Sequence, residues 1–406
     1  MKAIVLAAGE GVRCAPLTNT RSKVMLPVAN RPILEYVISA LVDNGIEDVV
    51  LVVGYEKEKV MNYFGDGNDF GARITYVDQT SQLGTAHAIS QAIPALGNDN
   101  ESFLVLNGDN IIEKETINKL ITNHAGDATV LTTPREKVCG YGVVMSAAGK
   151  VKGIFEKPTR QISHMVNTGI YAFNRDIIAE IDKTEISERG EYEITHTLQN
   201  MVKKDRDVRV IVTKNLWMDS VYAWDLLDIN ARLLANCESN ISDTSVVYES
   251  VTLVGDVEIG DDTVIRPGSY IVGPIKIGSN CDIGPQVTVL PCTSIGDNVS
   301  LGPYTYIQNS ILMDNVRVES HSHVSESIIG FYCNFGPYSI CEADNDVNIE
   351  IENELVPVEK SGVVIGDDCK FGSRTLTEAG TLVGNNCTVR SGTNVDRHLP
   401  ANSTVL

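Results

Sequence analysis

Leu253, Ile259, Ile265, Ile271, Ile277, Ile283, Val289, Ile295, Leu301 and Ile307 follow one another at intervals of six residues without a slip. Four residues after the aliphatic position comes a small or β-branched residue: Val257, Thr263, Ser269, Ile275, Cys281, Val287, Thr293, Val299 and Thr305. Glycine often follows the aliphatic residue, as at Gly260, Gly278, Gly284, Gly296 and Gly302. Six residues make a short strand and a turn, so three hexads complete one triangular coil. The aliphatic side chain fills a corner and the small residue packs beside it. Stacked coils bury a continuous core that no single coil could bury alone. The repeat predicts a left-handed parallel β-helix.

The register then loosens. The stretch "ESHSHVSES" interrupts it, and "ADNDVNIEIENELVPVEKSG" reads as an acidic loop leaving a coil. Repeats resume at Ile365 and Phe371, falter at Thr377, and return at Val383, Val389 and Val395.

The N-terminal half obeys a different period. "KAIVLAA", "EDVVLVVGY", "ARITYVDQ" and "SFLVLNGD" read as strands, and "RPILEYVISALVDNG" places Ile33, Leu34, Val37, Ile38, Leu41 and Val42 on one helical face before Gly45 ends the helix. Strands alternating with helices predict an α/β doubly wound, mostly parallel, Rossmann-like sheet. Ligands of such sheets sit at the carboxyl ends of the strands, which sets Gly9–Arg13, Gln79 and Asp109 along one edge. "WDLLDINARLLANCESN" reads as a joining helix, with the boundary between Trp224 and Val246. The expected division is 1–228 for the α/β domain, 229–246 for the linker helix and 247–406 for the β-helix.

At 406 residues, 43% of them hydrophobic, the chain has material for two cores. A net charge of −20 argues against nucleic acid and acidic membrane surfaces as partners, while leaving room for one local anion site. No apolar run reaches membrane-spanning length, and the N-terminal apolar stretch is too short and glycine-rich for a signal peptide, so a cytoplasmic chain starting at Met1 is expected. The nine cysteines are scattered with no C-x-x-C pair, which favours reduced, buried thiols over zinc or a redox dithiol.

The segment "LAAGEGVRCAPLTNTRSKVMLPV", Leu6 to Val28, carries the chemistry. A dinucleotide fingerprint fails because Cys14 stands where the third glycine belongs, and Glu35 falls inside the helix. A P-loop fails because no Gly-Lys-Ser/Thr follows. What remains is a glycine loop (Leu6, Ala8, Gly9, Gly11) whose N–H groups can wrap an anion, with Arg13 and Lys23 as cations.

With these residues the chain resembles the sugar-1-phosphate nucleotidylyltransferases. Their signature is a strand, L-x-x-G-x-G-x-R, a Pro-Leu-Thr turn, and a lysine before Met-Leu-Pro. Leu6, Gly9, Gly11, Arg13, Pro16–Thr18, Lys23 and Met25–Pro27 match it, while Ser22 and Val24 replace the prolines usual around the lysine. "QTSQLGTAHA" resembles the nucleobase segment through Gln79, Gly84 and Thr85, and an amide that donates and accepts suits uracil or thymine. The resemblance implies Asp109 and Asp219 as Mg²⁺ ligands. It implies a sugar pocket of Gly142, Glu156, Asn167 and Thr168, with Lys157 on the sugar phosphate. Arg13, Lys23 and Lys157 would neutralise the phosphates. His87, in the helix after Thr85, reads as structural. The implied substrates are UTP or dTTP and glucose-1-phosphate or N-acetylglucosamine-1-phosphate.

Two readings compete for the β-helix. It resembles that of bifunctional enzymes that acetylate an amino-sugar phosphate with acetyl-CoA, using a histidine as base between neighbouring subunits. Aligned on "SIIG", however, the histidine position falls on Ser320, with His321 one residue off and His323 three. The preferred reading is a structural or oligomerising domain, a homotrimer by analogy, with His321 and His323 pointing the same way from a strand. A non-catalytic regulatory subunit of the same plan ranks lower, because Arg13, Lys23, Asp109 and Asp219 are all present.

Overall fold

A computed structural model describes residues 1–97, 101–138 and 140–406. The chain divides into two compact units. The first comprises Met1–Glu10, Ser22–Met25 and Ile33–Asp219; the second comprises Gly11–Arg21, Leu26–Pro32 and Ser220–Leu406.

The first unit is built on a nine-stranded sheet. Lys2–Ala7 lies between Asp48–Val53 and Phe103–Asn107, parallel to both, and Arg73–Asp78 adds a further parallel strand outside Asp48–Val53. Lys2–Ala7, Asp48–Val53 and Phe103–Asn107 are nearly unbroken aliphatic runs because both faces are covered, whereas the edge strand Arg73–Asp78 is mixed and partly exposed. Alternate residues go to opposite cores. Ala3, Val5, Leu104 and Leu106 meet Leu34, Ile38 and Leu41 of the helix Ile33–Val42 on one side. Ile4, Val105 and Phe103 meet Ile89 and Ala92 of the helix Thr85–Ala92, with Leu198 and Met201 of Ile194–Lys203, on the other. Two helical layers over one sheet is the doubly wound plan. Its parallel order holds for these four strands and for Val208–Val212 against Ala128–Pro134. Met165–Phe173 inserts antiparallel between Phe103–Asn107 and Ala128–Pro134, and the hairpin Val143–Ala147/Lys150–Phe155 closes that edge. The antiparallel half follows from sequence spacing: Val143–Ala147 and Lys150–Phe155 are joined by a two-residue turn with Ala148 and Gly149 at positive φ, too short for a crossover.

The second unit contains three parallel sheets of eight, nine and eight short strands, the faces of a β-helix. The hexad positions pair one coil apart, Ile259 with Ile277 and Ile277 with Ile295, and form one buried core. The small residue has a hydrogen-bonding role. Thr263 Oγ1 donates to the Gly278 carbonyl (2.7 Å), Ser269 Oγ to Gly284 (2.9 Å) and Cys281 Sγ to Gly296 (3.1 Å). Cys333 and Cys369 repeat the contact to Gly366 and Gly384. Several cysteines are therefore coil residues. Cys139 lies outside the described residues.

"ESHSHVSES" does not interrupt the helix. Two sides are one residue short: Ile307 to Leu312 and Val324 to Ile329 take five residues, and the strands stay paired across them. Thr377 does not break the repeat either; it is a buried corner paired with Cys341 and Val395. The acidic segment leaves the coil as an antiparallel hairpin, Asp344–Ile351 with Glu354–Ser361. Turn positions between rungs take left-handed backbone without glycine: Asp262, Asn280, Gln286, Asn298, Tyr304, Asn315, His321, Tyr332, Tyr338, Asp368, Arg374, Asn386 and Asn402 have φ from 54° to 64°.

The joining segment forms the helix Asp225–Leu234, and Asn240–Ile241 already pairs as a rung with Glu258–Ile259. Asn230, fully buried on that helix, accepts from the Ala29 N–H (2.8 Å) and donates to the Cys292 carbonyl (2.9 Å).

Candidate functional site

The site of the first unit begins with Asp109, delivered by the end of Phe103–Asn107. Gly108 is required there: its N–H donates to the Leu6 carbonyl at 2.8 Å, and a Cβ would stand 2.9 Å from that oxygen. The chain then turns into Asn110–Ile112, which pairs antiparallel with Trp217–Asp219 so that Asp219 faces Asn110. Trp217 is buried, and its Nε1–H donates to Asn110 Oδ1 (2.7 Å) and the Thr168 carbonyl (3.2 Å). Two aspartates far apart in sequence thus meet at one cation. Lys23 Nζ lies 2.6 Å from Asp109 Oδ2 and 3.1 Å from Asp219 Oδ1, with the lysine side chain only 14% exposed.

This donor set bears on the implied metal. Two carboxylates converging on one cationic position offer hard oxygen ligands, which suits Mg²⁺ bound through one or two carboxylates with substrate phosphates completing its shell. Among the described residues no group of three or more His, Cys, Asp or Glu could hold an ion on protein ligands alone. Asp109 and Asp219 supply two carboxylates of the kind such an ion takes.

At the glycine loop, Ala8 carbonyl accepts from Tyr55 N–H (3.2 Å) and Gln82 Nε2 (3.1 Å). A Cβ at Gly9 would meet nothing within 4 Å among the described residues. In the second unit, Gly11 has φ 68° and ψ 39°, and its carbonyl accepts from Cys14 N–H (2.8 Å) and Thr18 Oγ1 (2.9 Å). Arg13 pairs there with Glu352 at 3.2 Å, at the hairpin turn, and both are exposed.

Gln79 is buried, and its Nε2 donates to the Gly84 carbonyl (3.3 Å) and to His87 Nδ1 (3.0 Å). His87 thus orients the amide. Gly84 has φ 112°, and its Cβ would lie 2.5 Å from the Tyr192 carbonyl oxygen. Thr85 Oγ1 accepts from the Ile194 N–H at 3.0 Å. The loop is therefore seated against the main chain of 192–194.

Gly142, Glu156 and Asn167 come together: a Cβ at Gly142 would stand 3.1 Å from Glu156 Oε2, and the Asn167 N–H donates to the Gly142 carbonyl at 2.8 Å. Asn167 Nδ2 donates to the Tyr171 hydroxyl (2.7 Å), whose pKa burial pushes upward. Thr168 is placed otherwise. It is 2% exposed and its hydroxyl donates to the Leu131 carbonyl (2.8 Å), so the side chain serves the sheet rather than a ligand. Its neighbour Gly169, at φ 73°, makes the bulge that turns the strand there. Lys157 is exposed, at φ 39°.

Sequence reasoning missed Arg189. Its guanidinium lies 3.8 Å from Glu156 and 2.9 Å from Glu193, a cation beside the Glu156 cluster. Burial first, then the Glu156 charge, raises the pKa of Glu193. The signal available was "ERGEYEIT", a charged turn entering a helix.

His321 and His323 are both exposed with Ser322 buried between them, the alternation expected, although one lies in a turn and the other in a strand. His321 occupies a left-handed turn (φ 57°) and stacks between Tyr304 (4.8 Å) and Tyr338 (4.9 Å). His323 lies in the strand His323–Ser325, stacked on Tyr306 (4.6 Å), with Nε2 2.8 Å from Ser325 Oγ.

A family profile described as nucleotidyl transferase matches residues 2–236. The chain belongs to the nucleotidyl transferase family. Two further profiles match this nucleotidyl transferase beyond that span: a GMPPB C-terminal domain over 271–360 and a hexapeptide repeat of succinyl-transferase over 362–397. It is 38% identical to bifunctional protein GlmU of Methanococcus maripaludis, over 100% of this chain and 97% of that protein. It is 36% identical to glucose-1-phosphate thymidylyltransferase of Streptomyces antibioticus, over 64% of this chain and 73% of that protein. Among solved structures, a putative glucose-1-phosphate thymidylyltransferase from Bacillus anthracis, crystallised with a sucrose, superposes with a TM-score of 0.52 at 30% identity. That match covers 57% of this chain and 94% of the other. No helix among the described residues of the nucleotidyl transferase is long and apolar enough to cross a membrane.

Proposed function

We propose that this nucleotidyl transferase moves a nucleotidyl group from UTP or dTTP to a hexose-1-phosphate, either glucose-1-phosphate or N-acetylglucosamine-1-phosphate, and releases pyrophosphate. The observation that carries the reading is Lys23 held between Asp109 and Asp219. In this division of labour catalysis belongs to the α/β domain, joined through the helix Asp225–Leu234 to the β-helix that assembles a cytoplasmic homotrimer.

The nucleophile is a phosphate oxygen, anionic at neutral pH, so no general base is required. The barrier is repulsion between anions and alignment on the α-phosphorus, and catalysis comes from positioning and charge neutralisation. Leu6, Ala8, Gly9 and Gly11 line the path of the triphosphate, and Arg13 stabilises the departing pyrophosphate. Gln79, held by His87, reads the base beside Gly84 and Thr85. Glu156 and Asn167 take the sugar hydroxyls around Gly142, and Lys157 and Arg189 supply charge for the sugar phosphate. Asp109 and Asp219 would hold Mg²⁺, which would supply neutralisation of phosphate charge. Lys23, beside both aspartates, supplies charge for the transferring phosphate.

The test is pyrophosphate release from a panel of hexose-1-phosphates with UTP and dTTP. Arg13→Ala and Asp109→Asn should abolish it with melting temperature unchanged; near-normal turnover in either removes the assignment.

One observation favours a second activity. His323 Nε2 lies 2.8 Å from Ser325 Oγ, beside Tyr306, and partial desolvation lowers its pKa. Acetyl transfer from acetyl-CoA to an amino-sugar phosphate would use such a base. Free thiol appearing from acetyl-CoA and glucosamine-1-phosphate, and vanishing in His323→Ala, supports it; no thiol removes it.

A further inference from the structure

Asp261, Ser279, Asp297, Asp314, Phe331, Asp367 and Asn385 each follow the residue that closes a rung on one side of the β-helix. Polar members form a ladder in which a side chain accepts the N–H of its counterpart one coil earlier. Ser279 Oγ accepts from Asp261 (3.1 Å), Asp297 Oδ1 from Ser279 (2.7 Å), Asp314 Oδ1 from Asp297 (2.9 Å) and Asp367 Oδ1 from Phe331 (3.0 Å). Phe331 breaks this ladder with an aromatic ring, and what lies on the ring is Arg21, its Cζ 3.8 Å from the centroid. The second oxygen of Asp367, which the ladder does not use, accepts from Arg21 Nη2 and from Thr20 Oγ1 (2.6 Å). Arg21 is 13% exposed and the Asp367 side chain 6%. Asn19 adds a contact to Asn385 at 3.0 Å.

These contacts lie within the second unit, which includes Gly11–Arg21. We infer that Arg21 is a positioning residue, and that Asp367 with Phe331 is a seat that fixes the Gly11–Arg21 loop and hence Arg13. The inference rests on the proposed function, which gives Arg13 the departing pyrophosphate. An unseated loop would have to be ordered each time the triphosphate binds, at a cost in conformational entropy for every residue fixed. A buried guanidinium on an aromatic face and a carboxylate is ordered beforehand and is little screened by salt. A cation aimed at a developing charge loses most of its value when displaced by about 1 Å.

Asp367→Asn tests the seat, because the amide oxygen still accepts the Phe331 N–H while the charge is gone. The expected result is a rise of about tenfold in KM for UTP or dTTP with a lower kcat, and an unchanged KM for the hexose-1-phosphate. A merely misfolded fraction would lower kcat and leave both KM values alone. Arg21→Gln should match it, and the double variant should be no worse than the worse single, since the two act as one pair. Phe331→Leu should weaken triphosphate binding in the same direction. Amide hydrogen exchange over residues 11–21 reads the seat without turnover and should quicken in each variant. A wild-type chain that releases no pyrophosphate refutes the proposed function. Unchanged exchange and triphosphate KM in Asp367→Asn, or losses that multiply in the double variant, refute the seat.

Discussion

Gly84→Ala is the sharpest probe of the loop we propose reads the base, because the structure sets its cost. The residue sits at φ 112°, where L side chains rarely go, and the new Cβ would lie 2.5 Å, 2.8 Å and 2.9 Å from the Tyr192 carbonyl oxygen, nitrogen and carbonyl carbon. All three are backbone atoms, so no rotamer change relieves them. Restoring ordinary contact near 3.4 Å moves the loop by about 1 Å, and the backbone strain adds about 1–3 kcal/mol. A displacement of that size at a substrate-positioning loop is worth on the order of 10²-fold in rate. The same movement pulls at the Ala86 N–H bond to the Tyr192 carbonyl (2.8 Å) and at Gln79, whose Nε2 donates to Gly84 itself. We therefore expect unfolding free energy to fall by about 1–3 kcal/mol and kcat/KM for the nucleoside triphosphate to fall on the order of 10²-fold. The KM for the hexose-1-phosphate should stay put. Urea unfolding and a coupled pyrophosphate assay with each substrate varied in turn measure all three. A Gly84→Ala variant with wild-type stability and triphosphate KM would show that the loop is not clamped by 192–194.

Further expectations follow from other contacts. Lys23→Met removes the cation between Asp109 and Asp219, and pyrophosphate release should drop on the order of 10²–10³-fold; turnover within a few-fold of wild type contradicts its role. Glu352→Gln frees Arg13 from an exposed pair, so triphosphate KM should fall by about twofold to fivefold, and a rise counts against competition for that guanidinium. Burial, reinforced by the Asp297 charge, holds the Asp314 carboxyl above the usual carboxylate range. The folded chain thus binds this proton more tightly than the unfolded one, so the associated stability is complete below the unfolded value and is lost as pH rises through the folded one. Asp314→Asn keeps the acceptor without the titration, so its urea midpoint should gain on wild type between pH 4 and pH 7; an equal offset at both refutes the sign. Burial raises the Cys281 thiol to about 11 and Cys341 to about 12, so iodoacetamide at pH 8 should leave both unmodified until the β-helix unfolds, as read by mass spectrometry.

The β-helix was legible because its corner positions admit only side chains that fill a corner, and a period of six repeats that demand. The five-residue sides were not, since one missing residue looks like lost register even when Leu312 and Ile329 remain stacked. Thr377 looked like a fault because composition cannot reveal that a threonine fills a corner. In the first unit, the aliphatic runs disclosed buried strands, but not that Met165–Phe173 enters antiparallel between two strands distant in sequence, with a register shift between Asn167 and Tyr171. Arg13, Lys23, Asp109 and Asp219 stood out as charges beside glycines or strand ends. The convergence of Asp109 and Asp219 depends on Trp217 reaching Asn110, a contact across 107 positions that no local pattern encodes. Arg189 escaped notice for the same reason: its meaning comes from Glu156, more than thirty residues away.

The left-handed turn residues of the β-helix carry a consequence of their own. Gln286, Tyr304, His321, Tyr338 and Arg374 share one backbone shape yet differ in size, charge and aromaticity, and none of them enters the buried core. Shape is fixed by the coil while identity is left open, at a modest conformational cost per residue. Each coil therefore offers outward sites at a fixed rise from the next, where one side chain can be exchanged for another without disturbing those stacked inside.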